Sequence, residues 1–115
     1  MLNGEGPLKT SFVEENGGRL IENDLKPYQS TFFPQGLLHM QQNLGCNDLQ
    51  FLSALNSEDP GVLTLPNALL RFNRQSLAAS FNQNTRIIKN LSRRVKNGPV
   101  IGDTACLARC RTGSP

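Results

Sequence analysis

Between residues 8 and 55 the apolar positions come in short runs broken by turn formers. Ser11-Phe12-Val13 and Arg19-Leu20-Ile21 flank Glu15-Asn16-Gly17-Gly18, and an Asn-Gly pair between two such runs is a strong local signal for a β-hairpin. Further strands are predicted at residues 30–33, 37–42 and 49–55, separated by Pro34-Gln35-Gly36 and Gly45-Cys46-Asn47-Asp48. Closely spaced strands with Gly and Pro between them predict a sandwich or barrel. Side chains alternate along a strand, so Leu37, His39 and Gln41 are placed on one face and Leu38, Met40 and Gln42 on the other.

After Asn56 the spacing becomes helical. Ser57-Glu58-Asp59-Pro60-Gly61 is turn chemistry. Pro66 suits the first turn of a helix running to Phe72, and residues 76–81 form a second short candidate. Over residues 83–95, Ile87, Ile88, Leu91 and Val95 gather on one helix face, with Lys89, Arg93, Arg94 and Lys96 on the outside and in the last turn, where cations suit the helix dipole. Asn97-Gly98-Pro99 is the expected stop. A last helix over residues 103–111 would put Cys106 and Cys110 on one side. The chain divides accordingly into a β part at 1–63, a helical extension at 64–97 and a cysteine-bearing tail at 98–115. No internal repeat or low-complexity stretch interrupts it.

Composition narrows the function classes. A length of 115 residues fits one domain or part of one, and a hydrophobic share of 37% predicts a thin core. Net charge of +3, from 12 basic and 9 acidic residues, is too mild for a nucleic-acid partner; Arg86, Lys89, Arg93, Arg94 and Lys96 read as a solvated helix face. No apolar run approaches the roughly 18 residues of a membrane span, and residues 1–7 lack the layout of a signal peptide. The three cysteines have no Cys-x-x-Cys spacing and no nearby His. A structural disulfide is therefore favoured over a redox or metal pair, with Cys106 or Cys110 as the mate of Cys46. Asn90-Leu91-Ser92 is the one glycosylation sequon, relevant only if the chain is secreted. Glu14, Glu15, Glu22 and Asp24 lie beside turns and read as surface, whereas Phe32, Phe33 and Phe51 are expected in the core. Asn43 is expected to close the turn after its strand. No Ser-His-Asp set and no Gly-rich phosphate loop is present, so no catalytic residue is assigned.

Pro34, Gly36, His39 and Asn43 have the spacing Pro-x-Gly-x-x-His-x-x-x-Asn. This resembles the second metal-site motif of germin-like proteins of the cupin superfamily, and Ala54-Leu55-Asn56-Ser57-Glu58-Asp59-Pro60-Gly61-Val62 resembles the segment C-terminal to that motif in the same proteins. Phe12-Val13-Glu14-Glu15-Asn16-Gly17, Asn43-Leu44-Gly45-Cys46 and Cys106-Leu107-Ala108-Arg109-Cys110 look most like the spherulin-like branch. The likeness covers nearly the whole chain, more weakly between residues 73 and 98. It implies an all-β fold with C-terminal helices: part of a jelly-roll barrel (double-stranded β-helix), with a helical extension after it through which members self-associate.

It also implies a manganese site, in which two His and one Glu of a first motif join the single His of the second. That second-motif position is His39, the only His in the sequence. Of the first motif only the closing Gly is placed, at Gly4; its two His and its Glu would lie before residue 1. One imidazole is far from the roughly six oxygen and nitrogen ligands that manganese prefers. The oxalate oxidase or superoxide dismutase activity of some members is therefore not expected of these residues. Tyr28 stands where the motif usually has a Gly six residues before the Pro, which predicts a reshaped turn, and residues 4–7 are extra relative to the family hairpin. The resemblance places the protein outside the cell, among storage or stress-associated proteins. The alternative is a truncated, metal-free cupin serving as a structural or protein-interaction module.

Overall fold

A computed structural model of the chain describes residues 7–96 and 102–112. Three strands and four helices run in order: β1 (Leu8–Val13), β2 (Leu20–Leu25), β3 (Leu38–Asn43), α1 (Leu65–Leu69), α2 (Arg74–Ser80), α3 (Thr85–Arg94) and α4 (Thr104–Arg111). They belong to two compact units, one of Met1–Ala54 with Gly102–Pro115, the other of Leu55–Ile101.

In the first unit the predicted hairpin is present: β1 pairs antiparallel with β2, Val13 opposite Leu20 and Leu8 opposite Leu25. Its tip closes with the Gly18 N–H donating to Glu15 O at 2.7 Å, and Gly17 takes φ 79°. That is the left-handed angle for which glycine is suited. Behind the tip the Arg19 guanidinium and backbone N–H both donate to the Glu14 carboxylate. The side-chain bond to Arg19 holds the Glu14 carboxyl below its ordinary value of 4.5.

Strand β3 pairs with the other edge of β1, giving the order β2-β1-β3. Directly opposed residues share a face. One face therefore carries Leu8, Thr10 and Phe12 of β1, Ile21, Asn23 and Leu25 of β2, and His39, Gln41 and Asn43 of β3. Leu8 and Thr10 are buried, and Thr10 is satisfied by donating to Asn23 O at 3.3 Å.

Two predicted strands are corrected. Residues 30–33 are irregular, because this segment carries the chain from β2 on one side of β1 to β3 on the other. A crossing segment cannot also run along a strand ladder. Phe32 is 79% exposed. Residues 49–55 hold only an isolated bridge at Gln50, and Phe51, Leu52 and Leu55 are exposed. Among the described residues no strand lies alongside to take up their backbone groups, which a strand requires. Neither Phe32 nor Phe51 is core, and the described residues form a three-stranded sheet rather than a closed barrel.

Tyr28 sits in a tight turn. The Gln29 N–H donates to Lys26 O at 3.1 Å and Lys26 N–H to Gln29 Oε1 at 2.9 Å. Pro27 occupies the second turn position, and Tyr28 itself takes φ 66°. The tyrosine adopts the backbone angle a glycine would, at a cost of about 1–2 kcal/mol for an L-residue.

Helix α4 completes this unit. Asp103 caps it, accepting from Cys106 N–H at 2.8 Å while its other oxygen accepts from Gln42 Nε2 at 2.8 Å. Cys46 is bonded to Cys110, and Cys106 is a buried free thiol 3.8 Å from Leu44 O. Arg109 also donates to Leu44 O. One turn apart, Cys106 and Cys110 do share a side, facing the segment at 44–46.

The second unit is helical. Pro66 opens α1, Asn73 Oδ1 caps α2 by accepting from the N–H groups of Gln75 and Ser76, and Asn84 Oδ1 caps α3 by accepting from that of Ile87. Helix α2 thus starts before the expected Ser76. Its core is Leu77, Ala78 and Ile88, with Leu69 and Leu70 packed against them. Helix α3 ends at Arg94; the expected stop at Asn97-Gly98-Pro99, like Gly4, lies outside the described residues.

Candidate functional site

The turn before β3 positions the one histidine. Leu37 N–H donates to Pro34 O at 3.3 Å, and Gly36 takes φ 79°, a left-handed angle for which glycine is suited. The chain then enters β3 with His39 opposite Phe12. The imidazole stacks on Phe33, ring centroids 4.3 Å apart and planes 19° apart, and Phe33 meets Phe12 edge-on at 6.2 Å. His39 Nδ1 lies 3.1 Å from Leu37 O. A carbonyl oxygen only accepts, so this contact puts the neutral ring's proton on Nδ1 and leaves the lone pair on Nε2. Metal-binding imidazoles are commonly held in this way, by a second contact at the other nitrogen. His39 is solvent-exposed, although it shares a face with buried Leu8 and Thr10. At the far end of β3, Asn43 closes the turn as expected: its Oδ1 accepts from Gly45 N–H at 2.9 Å and its Nδ2 donates to Asn47 O at 2.8 Å.

Among the described residues the sheet face around His39 is neutral. On its face of the sheet the polar neighbours are Thr10, Asn23, Gln41 and Asn43, while Glu22 and Asp24, opposite Ser11 and Lys9, belong to the other face. Asp24 is paired with Lys9 at 3.8 Å and Glu14 with Arg19 at 3.1 Å. Among the described residues no three His, Cys, Asp or Glu side chains come together as a metal site. The described donor set therefore does not fit a divalent ion by itself: it offers one imidazole, and no carboxylate shares its face of the sheet.

Two contacts of the site were not legible in the sequence. Phe33 reads no differently from Phe32 in pattern, and only the path of the crossing segment selects it as the ring under His39. The Leu37 carbonyl left no signal either, because the backbone path into β3 decides that contact.

The cupin family model matches residues 1–89, which include all three strands and the start of α3. The chain is a cupin. It is similar to spherulin-1B of Physarum polycephalum, 32% identical over 112 residues covering 96% of this chain and 45% of that protein. Spherulin-1A of the same organism is 29% identical over 106 residues, 91% of this chain and 43% of that protein. Germin-like protein subfamily 1 member 17 of Arabidopsis thaliana is 30% identical over 99 residues, 81% and 45% respectively. This cupin thus belongs with the germin-like and spherulin proteins, and the chain spans less than half the length of these relatives. No solved structure matches it. The family implies a β-barrel, of which the described residues of this cupin show a three-stranded antiparallel sheet.

Proposed function

We propose that this cupin contributes His39 Nε2 as one ligand of a divalent metal, manganese by resemblance to the germin-like proteins, in a secreted protein of the storage or stress type. The observation that supports this reading is the Nδ1 contact to Leu37 O, which presents Nε2 in its metal-binding form. Such an ion would supply Lewis acidity; the chain's own part is to hold the imidazole with the Phe33 ring and the Leu37 carbonyl. A complete coordination sphere needs donors beyond this face of the sheet. Self-association through residues 64–97 is proposed alongside, supported by the exposed Leu65, Phe72 and Phe81.

The neutral face around His39 favours a second reading, a metal-free structural module. Adding manganese to the purified protein separates the two. On the first reading metal is found bound by elemental analysis and the melting temperature rises, since a ligand at 100 times its Kd stabilises by about 2.7 kcal/mol. The His39→Gln variant then binds at least tenfold more weakly. No bound metal and no thermal shift in the unsubstituted protein would select the second reading.

A further inference from the structure

The mild net charge conceals a segregation. Within Leu55–Ile101 there are seven Lys and Arg against two Asp and Glu, a balance of +5; the rest of the chain has five against seven, a balance of −2. The two acids, Glu58 and Asp59, lie at the start of the unit, and residues 60–102 contain none. Both ion pairs among the described residues are in the other unit.

Helix α3 concentrates this charge. Arg86, Lys89 and Arg93 stand at i, i+3 and i+7, a single exposed stripe rising roughly 10 Å along the axis. On the opposite side Ile88 is 2% exposed, packed with Leu77 and Ala78. At its N-terminal end the stripe is unfavourable to the helix that carries it. Like charges at these spacings repel, and Arg86 occupies the first turn, where the dipole disfavours a cation and no acid is present. Arg93-Arg94-Val95-Lys96 extends the positive surface past the helix end. Nothing within the unit after Asp59 can neutralise these charges, although a plain solvated face would normally interleave both signs.

We infer that this stripe binds a linear anionic polysaccharide, its carboxylates or sulfates meeting Arg86, Lys89 and Arg93 in succession. Two other polyanions fit less well. Base stacking on single-stranded nucleic acid needs aromatic side chains on the binding face, and α3 has none. Lying in a membrane interface needs a broad free apolar helix face, whereas on α3 Ile88 is enclosed in the core and only Ile87 and Leu91 are exposed beside it. The inference does not depend on His39, which lies in the other unit.

The test compares the full chain with two triple variants of equal net charge: Arg86→Gln/Lys89→Gln/Arg93→Gln in the stripe, and Lys9→Gln/Lys26→Gln/Arg111→Gln in the other unit. Each is titrated with polygalacturonate, heparin and single-stranded DNA over a salt series, and far-ultraviolet dichroism checks the fold. The expected result is a loss of at least tenfold in polysaccharide affinity for the stripe variant, with less than threefold for the control. An Arg86→Lys/Arg93→Lys variant retains binding. Equal losses in both triple variants, no polysaccharide binding by the unsubstituted chain, or tighter binding to DNA would each overturn the inference.

Discussion

The sheet unit and the helical unit meet the cost of ordering a chain in different ways. In the first, residues far apart in sequence are tied together: three strands in register, Asp103 bridging β3 and α4, and a disulfide between Cys46 and Cys110 with a sequence separation of 64. In the second, order is mostly local. Two asparagine caps start two short helices, and among its described residues only Leu77, Ala78 and Ile88 are buried. With 37% hydrophobic residues, neither unit has a large core. Cross-linking and capping stand in for burial, so stability is expected to differ between the units.

The largest effect should come from the cross-link. Replacing Cys46 with Ser removes a constraint on a long loop, worth about 4 kcal/mol in the chain-entropy model. Chemical denaturation of the variant, set beside that of the reduced protein, measures the loss. A change under 1 kcal/mol would mean that the ladder and α4 contacts suffice without the bond. Next is Ile88→Ala, expected to cost about 3 kcal/mol through lost burial and the cavity left behind. Native-state hydrogen exchange should show α2 and α3 losing protection while β1 keeps its own; loss of protection in both would dissolve the distinction between the units. The smallest effect is a gain. Tyr28→Gly relieves the left-handed strain but frees the unfolded chain, for a net stabilisation of up to about 1 kcal/mol. A rise in denaturation midpoint at constant m-value would register it, and a fall would mean that the exposed phenol ring makes a contribution that outweighs the backbone strain.

Much of this architecture is legible in the sequence because the signals are local. Asn16-Gly17 marks the hairpin, Gly36 the entry to β3, and alternation places His39 on one face with Gln41. All four helices lie near their predicted positions, although α2 begins earlier than expected, because its cap is Asn73 and Ser76 sits inside its first turn. The features that escape the sequence depend on neighbours distant in the chain. Residues 30–33 have strand-like composition, yet their direction is set by the positions of β2 and β3. Residues 49–55 have it too, but composition cannot supply a partner. The choice of Cys110 over Cys106 is open in the sequence for the same reason, since both lie on one side of α4. Tyr28 escapes in another way: its residue type gives no sign of the left-handed angle it takes in the turn closed by the Lys26–Gln29 hydrogen bonds. For the site, the histidine is evident from its motif, whereas its neutral surroundings come from a strand register that sets Glu22 and Asp24 on the opposite side.

The Cys46–Cys110 bond also determines how the molecule carries mechanical load. Tension applied between β1 and the end of α4 passes directly through the sulfur bridge, so that the 63 residues between the two cysteines form a slack loop. The helical unit lies entirely inside that loop. Under oxidising conditions it is a shielded passenger, and reduction would place its three short helices in the line of force.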